Sequence, residues 1–350
     1  MNRCWICSDV WMDIFPSFDH AQLGLKMALL SDRFDILVDT HFDGKSELTI
    51  WRRITISKDK GPKSKLSLWI DGKRVHFPLP NRPLPNKIRF KDLQIYYIDH
   101  SVLAFLRSNK PIWDRMGTKF ELDVRSYGTD QIWDVFTHEI LPLFATNIRH
   151  LSFDDGNFLD NLRRRTSPTF LTDLDQLYSI NSRLLLPDGI AFDGPNKTSG
   201  QALAKWLHTP TTDGQPKELR CCICFYQITW INNFKETFLR ATTSVAYNVR
   251  LGLLVASQMN TVEQFELVNE VTQEKLTLRK DEDIYCLLKR CPIVGETATV
   301  SENNANLDNL NGVYFSLYHD CIGPLSPPDQ SDEKMFSTPG PSSDQQKNKK

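Results

Sequence analysis

The 350-residue chain lacks any run approaching the ~20 apolar residues that a membrane-spanning helix needs, so no bilayer-crossing segment is expected. No secretory leader is expected, since Met1–Val10 carries Asp9 and has no unbroken apolar core. The chain lacks a charge imbalance, with 42 Lys and Arg against 43 Asp and Glu, so no global field draws it to nucleic acid or anionic membrane. And it lacks the even ladder of cysteine spacings that marks a disulfide framework. Its eight cysteines stand at Cys4, Cys7, Cys221, Cys222, Cys224, Cys286, Cys291 and Cys321, two of them adjacent. Reduced thiols and an intracellular location, cytoplasmic or nuclear, are the expectation.

The catalytic patterns are missing as well. No G-x-S-x-G elbow, Walker loop or H-E-x-x-H occurs, and His138-Glu139 lacks a second histidine. Asp154-Asp155-Gly156 opens like a calcium loop, but the spaced acids that must follow are absent, and it reads as the turn ending a strand. Cys4-Trp-Ile-Cys7 has the spacing of half a zinc site, yet Cys221-Cys-Ile-Cys224 falls in a strand pattern, where Cys222 and Cys224 would share one core face. Core thiols are therefore expected, with no metal, cofactor or catalytic residue. The Arg163–Arg165 and Lys58–Lys65 runs read as solvated face or turn, and Trp51, Trp69, Trp113, Trp133 and Trp206 mainly as core.

What is present is periodicity. Ser8-Asp9 precedes Val10, Trp11, Ile14 and Phe15, the spacing of a short helix that Pro16 should stop. Asp19 can cap a second helix carrying Leu23 and Leu25, and Ser31-Asp32 a third carrying Phe34, Leu37 and Val38. From Glu47 the period becomes two, and Asp71-Gly72 between alternating runs signals a hairpin. A β-meander over 47–78 follows, then a proline-rich linker to residue 86.

Beyond Lys87, strand and helix patterns alternate at roughly 30-residue intervals, the sign of a solenoid of supersecondary units. Strands are expected at 88–98, 119–124, 148–153, 176–180, 218–225 and 244–251. Helices are expected at 101–115, 130–144, 158–171, 201–208 and 231–240. Ile88-x-Phe90-x-x-Leu93-x-Ile95 and Ile148-x-x-Leu151-x-Phe153 approach the leucine-rich repeat pattern. An open doubly wound sheet gives the same alternation, but no glycine-rich phosphate loop follows the first strand. A β-rich stretch over 264–291 can cap the array. From residue 294 the composition turns to that of a disordered tail, interrupted by Val313–Tyr318, a docking segment or stray strand.

Residues 5–42 resemble an F-box. Asp9-Val10, Ile14-Phe15, Leu23, Leu25 and Ser31-x-x-Phe34-x-x-Leu37-Val38 fall on the family pattern, while Ile6-Cys7 stands where the family has Leu-Pro. The phrases at 23–34, 201–210 and 288–293 resemble nematode F-box proteins with a long F-box-associated domain, a set expanded in plant-parasitic nematodes. Taken with the periodicity above, an α+β chain of four parts is expected: an F-box-like three-helix module over 1–45, a β-meander and linker over 46–86, an irregular α/β, leucine-rich-repeat-like recognition domain over 87–293, and a tail over 294–350. The resemblance implies a non-catalytic adaptor of a Skp–cullin–F-box ubiquitin ligase. Val10, Ile14, Phe15, Leu23, Leu25 and Phe34 would make or support the contact with the Skp-type adaptor, and the recognition domain would hold a protein substrate. The alternative is a protein-binding scaffold or decoy whose F-box-like helices no longer engage the adaptor.

Overall fold

The computed structural model describes residues 6–44, 49–61, 63–70, 72–85, 88–114, 118–124, 130–154, 156–188, 197–223, 230–253, 262–282, 285–293, 311–317 and 321–326. The chain is a mixed α and β protein. Its helical module comprises α1 (Ser8–Ile14), α2 (His20–Gln22) and α3 (Asp32–Asp43), with a π-helical turn over Leu23–Met27 between the last two. Asp19 caps α2 by accepting from the Ala21 N–H, and Ser31 caps α3 by accepting from Phe34. Ser8-Asp9 is not the cap of α1: Cys7 holds that place without a side-chain bond.

The strands are β1 (Thr49–Lys58), β2 (Ser64–Ile70), β3 (Lys73–Pro78), β4 (Ile88–Ile95), β5 (Thr118–Val124), β6 (Ile148–Phe153) and β7 (Ser179–Ser182). They continue with β8 (Lys217–Ile223), β9 (Tyr247–Leu253), β10 (Phe265–Asn269), β11 (Glu274–Glu282), β12 (Tyr285–Pro292) and β13 (Asn311–Leu317). All 13 belong to one sheet, in the order β10-β11-β12-β9-β8-β7-β6-β5-β13-β4-β1-β2-β3. The meander is continuous with the later strands, because β1 pairs in parallel with β4. Gly72 makes the β2–β3 turn at φ +73°, a conformation that costs glycine nothing.

From β1 to β9 every neighbouring pair is parallel, and β4 through β9 follow one another without reversing direction. Right-handed crossovers that always step the same way put their helices on one face. Those helices are α4 (His100–Ser108), α5 (Lys110–Asp114), α6 (Asp130–Val135), α7 (Leu141–Phe144), α8 (Gly156–Arg165), α9 (Phe170–Asp173), α10 (Ser199–Leu207) and α11 (Trp230–Leu239). Successive ones touch: α6 meets α8, and α10 meets both α8 and α9.

The register explains the helix-covered face. Val75, Leu68, Ile54, Leu93 and Val313 stand side by side across five strands. Through Phe120 the same row continues as Leu151, Ile180, Leu219, Val249, Leu288, Leu278 and Phe265. Every strand contributes one apolar residue to that row, which is why the sheet buries a single continuous core.

One expectation is settled and one corrected here. The segment at 313–318, expected as a docking segment or a stray strand in the tail, carries a strand, β13, which lies between β4 and β5; Val313 and Phe315 alternate into the core and make this position favourable. Phe315 meets Phe136 and Phe144 edge-on, with centroids 5.9 and 6.3 Å away. And Cys221, not Cys222, faces the core, beside Ser182 and Leu251 in register; Cys222 is half-buried on the opposite face, and Cys224 lies outside the described residues.

Candidate functional site

Three regions concentrate chemistry. The first is the helical module. Phe15, Leu23 and Leu25 are fully buried within it, whereas Ile14 and Phe34 are half-buried and Val10 is 46% exposed. Phe34 packs edge-on against Trp11, with centroids 4.8 Å apart. Of the six residues expected at the adaptor contact, Val10, Ile14 and Phe34 reach the surface, while Phe15, Leu23 and Leu25 can only shape it from below. Ile6, Leu30 and Ile36 are also exposed apolar residues of this module. The helix-face spacing grouped Leu30 with Leu23 and Met27, yet Leu30 is 64% exposed, and it gave no sign of Ile36. Arg82 from the linker pairs with Asp32 and Asp35 of α3, and Lys26 lies 5.3 Å from the Phe77 ring, so the module is fastened to the meander.

Cys7 is exposed, its Sγ 3.7 Å from the Asp9 carboxylate, which corrects the expectation that it packs inside the module. Cys4 lies outside the described residues. Among the described residues no three or more His, Cys, Asp or Glu converge to hold a metal ion.

The second region is the sheet face opposite the helices. The rows there are polar: Ser152, Asn181, Arg220 and Arg250 stand in register, and beside them His150, Ser179, Glu218, Asn248 and Lys289. His150 Nδ1 lies 2.9 Å from Ser179 Oγ, and its Nε2 is buried without a partner. Burial, with the nearby charges of Lys119 and Arg220, pushes its pKa down to about 3. Arg250 pairs with Asp281 at 3.4 Å and lies 4.5 Å over the Tyr285 ring. No motif pointed to this face; the two-residue period of the strands is its only trace in the sequence.

The third is a cleft of about 400 Å³ where the end of α10, α11, the loop before β9 and β12 meet. His208, Asn233, Thr237, Thr243, Val245 and Arg290 line it. Beneath lies a buried polar layer. Lys217 donates to the Trp206 carbonyl, and burial lowers its pKa to about 8. Arg290 and Glu274 form an ion pair at 2.6 Å.

Other expectations changed on inspection. Trp113, Trp133 and Trp206 are core, but Trp69 is 63% exposed on the outer meander. Arg163 is not a solvated residue of a basic face: it is buried, donating to the carbonyls of Pro168 and Lys197. Arg165 pairs with Asp130 and Asp134.

No family model matches the chain. No curated protein and no solved structure matches it either. No described helix is long and apolar enough to cross a membrane.

Proposed function

We propose that the chain is the substrate-recognition adaptor of a Skp–cullin–F-box ubiquitin ligase, with the helical module engaging a Skp-type adaptor and the sheet domain holding a protein substrate. The observation that carries the reading is the module itself. Three capped or proline-stopped helical segments leave Val10 and part of Ile14 and Phe34 at the surface, at the positions that match the F-box pattern. Large exposed apolar side chains gathered on one small module favour a protein partner. The rest of the chain suits recognition by contact. Its parallel strands step in one direction, which supports a leucine-rich-repeat-like array over a doubly wound sheet, and such an array offers a broad polar face to a partner. An adaptor of this kind accelerates transfer by proximity alone.

The test is capture of the full chain by a recombinant Skp-type adaptor. Wild type should be retained and Ile14→Asp lost, because a carboxylate forced into an apolar interface costs several kcal/mol. Equal retention of both would overturn the contact.

One specific observation favours a second reading, a protein-binding scaffold: Ile6-Cys7 replaces the Leu-Pro opening of the F-box pattern. In that case the wild-type chain fails to bind the adaptor at all while still capturing its target.

A further inference from the structure

The cleft beside α11 is ringed by side chains with hydrogen bonds left to give. His208, Asn233, Thr237, Thr242 and Thr243 line it, and among the described residues none of the five makes a side-chain hydrogen bond. Hydroxyl, amide and imidazole can each donate. His208 and Thr237 are half-buried, which sets their unmet groups inside the cleft rather than on open surface.

Charge lies behind this wall. Arg290 is only 1% exposed and is matched by Glu274 at 2.6 Å, so the pair reaches the cleft through its field and not by contact. Lys217 is buried without a carboxylate among the described residues: it donates to the Trp206 carbonyl and lies 4.9 Å over the Trp206 ring. Burial lowers its pKa to about 8, so near pH 7 it still carries its proton for the most part. The buried layer therefore holds two cations against one anion.

His208 registers the sign of that field. After burial, the causes that lower its pKa to about 4 are the charges of Arg290 and Lys217, both opposed to a further proton. The helix-end carbonyls nearby do not reverse the sign, because they are already met. Trp206 accepts from Lys217, and the Phe238 and Ala241 carbonyls accept from Asn269 Nδ2 at 2.7 and 2.9 Å. At the rim Arg240 and Glu236 stand 3.7 Å apart and cancel in charge. Their side chains are 80% and 69% exposed, so the pair holds weakly and the guanidinium can turn to a ligand.

Donors without partners, under a net positive charge, suit an anion. Hydrogen bonds to a charged acceptor are about twice as strong as neutral ones, whereas a cation would meet the same field as repulsion. Ala241 and Val245 add apolar surface, and about 400 Å³ is room for a small organic molecule.

We propose that this cleft binds a small organic carboxylate, its oxygens accepting from the threonine hydroxyls, the Asn233 amide and Arg240, and its apolar body resting on Ala241 and Val245. The assignment is independent of the adaptor reading.

The experiment is ligand-detected NMR on the full chain with three probes of like size: benzoate, benzamide and benzylamine. Benzoate should bind, benzamide about fivefold more weakly for want of the charge-assisted part of its hydrogen bonds, and benzylamine more weakly still. Arg240→Gln, at a highly exposed position that the fold does not depend on, should weaken benzoate about fivefold. Lys217→Met keeps an apolar stem against Trp206 and touches no ligand; it should weaken benzoate about fivefold and leave benzamide unchanged. Thr237→Trp fills the cleft from α11 and should abolish benzoate binding. Benzamide or benzylamine bound as tightly as benzoate would overturn the ligand class, as would benzoate binding indifferent to Arg240→Gln. Benzoate retained by Thr237→Trp would place it elsewhere, and no binding of benzoate would remove the site.

Discussion

Glu274 and Arg290 meet at 2.6 Å with side chains 0% and 1% exposed, so neither charge has water to fall back on. Glu274→Gln should cost about 3–5 kcal/mol, because it strands a buried guanidinium. Replacing both partners with apolar residues of similar volume should recover most of that loss. Urea unfolding of the single and double variants checks this, and equal stabilities for single variant and wild type would refute it. The pair also sets an acid limit. Burial alone would raise the Glu274 pKa, but hydrogen bonds from Arg290 and Ser244 outweigh it and hold the carboxyl below its usual 4.5. A depressed carboxylate stabilises fully above the unfolded value, so this contribution fades only as pH drops through and below about 4.5.

His150 acts earlier on the pH scale. Its folded pKa of about 3 lies under the ordinary 6.5, so the unfolded chain binds a proton that the native state refuses. Stability is full above 6.5 and falls as pH is lowered toward 3, by about 1.4 kcal/mol per pH unit from this residue. His150→Asn should flatten the pH dependence between 6 and 4 by about that slope. Urea midpoints measured at three pH values decide the matter; parallel curves for variant and wild type would reject it.

Phe315→Ala should destabilise the whole sheet by about 3–5 kcal/mol, since the ring is buried against Phe136 and Phe144. Hydrogen exchange should rise in β4 and β5 together with β13, because β13 supplies the ladder bonds between them. Exchange confined to β13 alone would mean that its neighbours close without it.

Within the helical module, Val10 and Leu23 separate binding from folding. Val10→Asp should change stability by no more than about 0.5 kcal/mol, as exposed substitutions do, yet abolish capture by a Skp-type adaptor. Leu23→Asp, at a fully buried site, should unfold the module outright. Circular dichroism melts beside the capture assay give both readings, and a Val10→Asp chain that still binds would exclude this surface.

Thiol chemistry gives a fifth prediction. Burial pushes the Cys221 thiol up, so it carries almost no thiolate at neutral pH, while Cys7 is exposed. Brief alkylation of the native chain, read by mass spectrometry, should modify Cys7 and spare Cys221. Labelling of both at similar rates would show that the β7–β9 core opens readily.

Local signals made most elements legible. Ile148–Phe153 and Tyr285–Pro292 read as strands from their alternating apolar residues, and α10 from its apolar spacing. β7 was read about three residues early, because Ser179, Asn181 and Ser182 give a strand little apolar contrast. The module's outline came from its caps, but which of its apolar residues stay exposed depends on how three short helices pack. Partnership between distant segments was hidden. Arg290 and Glu274 look like surface charges on strand residues, and only the register of β11 and β12 brings them together in the core. The cleft they floor has no trace in the sequence, since four separated segments build it.

The position of β13 bears on how the protein is made. During synthesis β4 and β5 leave the ribosome long before Asn311–Leu317, the strand that must lie between them. Until then the nascent chain has two facing strand edges with unmet backbone groups, a surface prone to stray pairing. Chaperone demand should therefore persist until β13 has been made. A chain that stops before residue 311 would be left open in the middle of its sheet.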